Sequence, residues 1–169
     1  MKLPNAILPA ALLTLGVACH SQPALAECEP NEQQQAMLER VNEARSEARQ
    51  CGDDEYEAAE PLEWNCRLAV AAQAHSQAMA EEEFFGHTGE DDEGVATRVS
   101  EAGYEWRVVG ENIAAGQADM EAVMAGWLDS PGHCANIMSD KFTEMGAASV
   151  EAEESRYSPF WTQVFARPR

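Results

Sequence analysis

Three short segments of the chain set an ionisable side chain beside glycine. They are Phe85-Gly86-His87-Thr88-Gly89, Gly110-Glu111-Asn112-Ile113-Ala114 and Ser130-Pro131-Gly132-His133-Cys134-Ala135-Asn136-Ile137-Met138. Two imidazoles and a carboxylate brought to one place form a mixed nitrogen and oxygen site. Such a set suits Zn²⁺ or another divalent cation held weakly, with His87, His133 and Glu111 as ligands. It also suits proton transfer. Glycine neighbours let the backbone bring these side chains close without β-carbon clashes. Taken singly, each histidine reads as a hydrogen-bonded structural residue. Serine chemistry at Ser76 or Ser130 lacks an identifiable base and orienting partner. The chain has no H-E-x-x-H helix and no G-x-S-x-G elbow.

The three segments lie far apart in sequence, so intervening elements must position them. Asn31 is placed to cap a helix running to about Gln50, with Met37, Val41, Ala44 and Ala48 on one face and Gly52 as its left-handed stop. Residues 53–61 read as an acidic loop. Asn65 is placed to cap a second helix from Cys66 to about Glu83, its inner stripe Leu68, Ala71, Ala72, His75, Ala78 and Met79. His75 reads as a buried packing or hydrogen-bonding residue. A short helix over 95–102 stops at Gly103, and 107–114 reads as a strand. Asp119 starts a third long helix that ends at Asp129-Ser130-Pro131-Gly132. Residues 145–150 and 160–166 are apolar strands joined by an acidic turn. Late strands without regular strand–helix alternation indicate an α+β fold. Trp64, Trp127 and Trp161 read as core residues whose ring nitrogens need acceptors; Trp106 reads as either core or cleft edge. Asn112 and Asn136 are expected to tie loops together.

Composition narrows the function class. The 169 residues carry 11 Lys and Arg against 30 Asp and Glu, a net charge of −19. That field repels phosphate, which excludes nucleic acid as a partner and disfavours an anionic membrane surface. Lys2, the apolar run from Ala6 to Ala18 and Ala24-Leu25-Ala26 describe a secretory signal peptide over residues 1–26, cut before Glu27. The apolar run is too short to cross a bilayer, and no later segment reads as transmembrane. Acylation of Cys19, giving an anchored lipoprotein, is the alternative. Either route leaves Cys28, Cys51, Cys66 and Cys134, an even set that reads as two disulfides in an oxidising compartment. Three pairings are open on spacing alone. Residues 27–169 then form one domain, secreted or periplasmic, and a monomer is expected.

Four ordered motifs together resemble the CAP superfamily, which comprises cysteine-rich secretory proteins, antigen 5 and pathogenesis-related proteins. They are most similar to its bacterial SCP-domain members. Gly110-Glu111-Asn112-Ile113 matches the family's G-E-N-[IL] motif, and Trp127 to Asn136 matches W-x-x-S-x-G-H-x-x-N. Phe85-Gly86-His87 matches the first-histidine segment, and Trp161 to Phe165 the closing W-x-Q-x-F strand. The resemblance implies a three-layer α-β-α sandwich with a small antiparallel sheet. It implies an open cleft lined by His87, Glu111 and His133, with a fourth acidic member at Asp91 or Asp92. It also implies the pairings Cys51–Cys134 and Cys28–Cys66. For function it implies a ligand-binding cleft outside the cytoplasm, for a small apolar, lipid- or sterol-like molecule or a divalent metal. Two rivals are a metal-assisted hydrolase, in which water held by the ion is the nucleophile, and an extracellular interaction module with a vestigial cleft.

Overall fold

The computed structural model describes residues 29–89, 92–152 and 155–169. The signal-peptide reading, Cys19, Cys28 and Asp91 lie outside these residues. The elements in order are α1 (Glu32–Arg45), β1 (Arg49–Cys51), β2 (Asp54–Tyr56), β3 (Glu63–Trp64), α2 (Cys66–Glu81), α3 (Val95–Glu101), β4 (Trp106–Ala115), α4 (Met120–Asp129), α5 (Pro131–Met138), β5 (Glu144–Val150) and β6 (Phe160–Pro168).

Three helix starts follow from local chemistry. Asn31 forms a capping box with Gln34. The Asn65 side chain accepts from the backbone N–H groups of Arg67 and Leu68, and Asp119 accepts from Ala122.

The four-stranded sheet has the order β3-β5-β6-β4. The pairs β5–β6 and β6–β4 are antiparallel, as expected. The two-residue β3 adds a parallel edge, with Trp64 opposite Met145. Helices α2 and α3 cover one face and α1, α4 and α5 the other, which makes an α-β-α sandwich. Strand alternation supplies both cores. Trp161, Phe165, Met145 and Ala147 pack with Met37, Val41, Trp127 and Ile137. Val164, Ala166 and Ala148 turn instead to Leu68, Ala72 and Val99. Helix α2 lies very close to β5: a β-carbon on Gly146 would stand 2.1 Å from the Ala69 nitrogen.

Three expectations require correction. The first helix stops at Arg45, not Gln50, because Arg49–Cys51 pairs antiparallel with Asp54–Tyr56. Gly52, at φ +65°, turns this hairpin rather than capping a helix. The supposed acidic loop therefore begins with a strand. By contrast, α4 ends at Asp129, as the Asp129-Ser130-Pro131-Gly132 stop predicts, and a further helix follows directly. Pro131 occupies the first turn of a separate helix, α5, where its missing N–H costs nothing.

Cys51 bonds to Cys134, tying the hairpin to α5 across 83 residues of chain. Cys66 is also disulfide-bonded. Among the described residues no helix is long and apolar enough to cross a membrane.

Candidate functional site

The site forms where β4, α5 and the segment after α2 meet. Glu111 sits in the buried half of β4, its side chain only 2% exposed. Its carbonyl accepts from Asn136 Nδ2 on α5 at 3.1 Å, and Asn136 Nδ2 also donates to Asn112 Oδ1 at 2.9 Å. Asn112 Nδ2 donates to the His133 carbonyl at 3.2 Å and to Gln163 Oε1 at 3.1 Å. Both asparagines thus tie α5 to the sheet and leave the histidine rings free for other contacts. Trp127 Nε1 reaches the Ile113 carbonyl at 3.1 Å and Trp161 Nε1 the Gln117 carbonyl at 3.0 Å. Trp64 is half-buried, and its ring nitrogen has no hydrogen-bond partner. Trp106 bonds Ser100 Oγ.

His87 arrives on the segment that follows α2. His75, on the inner face of α2, donates from Nε2 to the Gly86 carbonyl at 2.9 Å and holds that segment down. His75 is 1% exposed. Burial pushes its pKa below the ordinary value; nearby Glu111 opposes this without reversing it, so the ring is neutral and serves as a donor. Glu111 divides its two oxygens. Oε1 accepts from His87 Nδ1 at 2.9 Å, and Oε2 accepts from Arg98 NH2 at 2.7 Å. His75 Nε2 stands 3.8 Å from the same Oε1.

Arg98, on α3, was not singled out by any sequence motif, yet it is 7% exposed and pairs with Glu111. It also donates to the carbonyls of His87 at 3.2 Å and Glu93 at 2.6 Å. One guanidinium therefore holds both ends of the loop that carries His87 and the carboxylate behind it. The sequence offered no signal beyond an arginine beside Val99 in a short helix.

The His87 ring remains 56% exposed, and its Nε2 has no partner among the described residues. His133, in the first turn of α5, lines a half-open cleft of roughly 630 Å³ with Phe85, Ile113, Trp127, Ser130 and Tyr157. Burial first, and then the nearby His87 charge, depress the His133 pKa. The structure thus joins His87 to Glu111 directly and places His133 within electrostatic reach of His87. Asp92 is exposed, at φ +57°, and its N–H closes a turn on the Gly89 carbonyl; no side-chain contact links it to His87 or Glu111. Among the described residues no group of three or more His, Cys, Asp or Glu is arranged to hold a metal ion. Glu111 spends both oxygens on protein donors, so the nitrogens available to a cation are His87 Nε2 and the His133 ring.

The sequence profile of the cysteine-rich secretory protein family (CAP) matches residues 38–165. The chain belongs to that family. It is 33% identical over 105 residues to YkwD, an uncharacterized protein of Bacillus subtilis (strain 168); the match spans 62% of this chain and 39% of YkwD. It is also 33% identical over 85 residues to YlbC, an uncharacterized membrane protein of the same organism, covering 25% of that protein. The chain therefore spans well under half the length of these curated relatives. An extracellular protein containing a SCP domain from Bacillus anthracis str. Ames superposes with a TM-score of 0.65 at 27% identity, covering 82% of this chain and 41% of that one. An outer surface protein from Borrelia burgdorferi gives a TM-score of 0.67 at 15% identity over 83% of this chain and 96% of its own, a likeness of fold alone.

Proposed function

We propose that this CAP domain works outside the cytoplasm and that its cleft binds a small amphipathic, lipid-like molecule. The apolar part of the ligand lies against the cleft walls and its polar end meets the imidazoles of His87 and His133. One observation carries this reading. Of the three large hydrophobic side chains exposed among the described residues, two, Phe85 and Tyr157, line the same cleft as His133. Exposed apolar surface gathered at one concave site marks a place where something binds. Buried aromatic area of this kind contributes most of the affinity for an apolar ligand, and a few placed polar groups set its orientation.

A weakly held divalent cation is the second reading, favoured by the carboxylate behind His87. A histidine whose Nδ1–H is held by a carboxylate has an oriented, more basic Nε2, the usual arrangement of metal-binding imidazoles. Here Glu111 orients His87, while His87 Nε2 and His133 provide the nitrogens and water completes the coordination.

The test is mass spectrometry under native conditions on protein secreted by its own host. The expected result is a retained amphipathic small molecule that the double variant Phe85→Ala/Tyr157→Ala loses. Calorimetry with Zn²⁺ on the wild type and on His87→Ala addresses the second reading. If the protein carries no small molecule and binds no Zn²⁺ near pH 7.5, both readings fail, and a surface interaction module takes their place. Amino-terminal sequencing of the same sample addresses the compartment: export by signal cleavage gives Glu27 as the first residue, and an acylated Cys19 gives an anchored lipoprotein.

A further inference from the structure

We infer that Arg98 is a positioning residue that fixes the proton of neutral His87 on Nδ1, so that the site selects a ligand whose polar end donates a hydrogen bond. The inference rests on the proposed ligand-binding cleft and names the chemistry of the group bound there.

Arginine is always cationic and donor-only. Arg98 faces Glu111 Oε2 at 2.7 Å, inside the protein, where both side chains are more than nine-tenths buried. A carboxylate in that pair has acceptors only. Its second oxygen, Oε1, faces His87 Nδ1 at 2.9 Å, and such a contact is a hydrogen bond only if Nδ1 carries the hydrogen. A neutral imidazole has one N–H, so Nε2 on the exposed side of the ring is then a lone pair. The alternative tautomer would set two acceptors against each other at 2.9 Å. Arg98 also fixes the loop itself, through the carbonyls of His87 and Glu93. The ring consequently cannot turn to offer its N–H outward without breaking its hydrogen bond to Glu111.

A lone pair on the exposed ring of His87, two residues from the cleft residue Phe85 and within electrostatic reach of His133, discriminates among ligands. A hydroxyl can donate to it. An ether or ester oxygen has nothing to donate and gains no hydrogen bond there, and a carboxylate adds repulsion. The polar end that fits is an alcohol, and the ligand class is a hydroxyl-bearing amphiphile.

The experiment uses the metal-free protein at about pH 8, where an imidazole is neutral. Long-range proton–nitrogen NMR reads the His87 tautomer, and calorimetry compares 1-decanol with decyl methyl ether, two uncharged probes that differ in one donor. In the wild type the Nδ1–H form dominates, and decanol binds about tenfold more tightly than the ether, the size of one satisfied hydrogen bond. In Arg98→Met, or Arg98→Gln where the first variant does not fold, the ring shifts toward the Nε2–H form that an untethered neutral histidine favours, and the ratio falls below about threefold. A predominant Nε2–H tautomer in the wild type overturns the inference without any variant, as does a tautomer that Arg98 substitution leaves unchanged. A correct tautomer with equal probe affinities overturns the selectivity. If neither probe binds the wild type, the ligand-binding reading fails while the tautomer measurement still decides the role of Arg98.

Discussion

His75 should make stability fall with pH in a way that one substitution removes. The ring is 1% exposed and donates to the Gly86 carbonyl, and burial holds its pKa below the ordinary value of 6.5. In the unfolded chain the imidazole regains that ordinary value. Below it the unfolded state binds a proton that the folded state does not, so the native state loses ground as pH drops; above it neither state is protonated and the contribution is flat. At about pH 5.5 an unfolded imidazole gains roughly 1.4 kcal/mol from protonation, the upper bound for this one residue while the folded ring stays neutral. His133 acts in the same direction, but less, because its ring is only partly covered. The assay is urea unfolding at about pH 7.5 and about pH 5.5, with about 0.5 M NaCl to damp repulsion among the acids. His75→Gln retains a donor for the Gly86 carbonyl and takes up no proton in this range. The wild type should lose about 1 kcal/mol more than His75→Gln between the two conditions. Equal losses would refute the reasoning, since they would mean that His75 is protonated in the folded state as readily as in the unfolded one.

Other expectations follow from packing, covalent topology and charge. Gly146→Ala forces a β-carbon to within 2.1 Å of the α2 backbone, and the helix must move off β5; thermal unfolding should show a loss of about 1–3 kcal/mol or more. Replacing Cys51 and Cys134 by serine frees an 83-residue loop. In the chain-entropy picture that costs about 4.5 kcal/mol, seen as a lower urea midpoint; a change under about 1 kcal/mol would show that the unfolded chain is already constrained. With 30 acids against 11 cationic side chains, the melting temperature should climb as NaCl rises from about 0.01 to 0.1 M, because the Debye length shrinks from about 30 to 10 Å. A flat curve would mean that the acids are too well separated to repel.

The sequence by itself determined whatever is local or borne by a motif. Asn65 and Asp119 announce their helices because a capping side chain reaches only two or three residues along the chain. Apolar periodicity marked the inner face of α2, since that period follows from backbone geometry alone, and short apolar runs marked β5 and β6. The motif residues His87, Glu111 and His133 stood out because glycine and an ionisable group recur together. Where local preference was ambiguous, the sequence misled. Ala48, Arg49 and Gln50 favour a helix, yet they enter a hairpin stapled to α5 by a disulfide. The Asp129-Ser130-Pro131-Gly132 stop correctly marked the end of α4, but not that Pro131 opens another helix. Tertiary structure alone decided the chemistry of the site. In the sequence Arg98 is one of the few cationic side chains among many acids; only the packing of α3 beside β4 places it at 2.7 Å from Glu111. Only the packing of α2 makes His75 neutral, and only the fold divides the two oxygens of Glu111 between a guanidinium and an imidazole. Hydrogen-bond roles and desolvation depend on what surrounds a group in three dimensions, and residue type and spacing do not encode those surroundings.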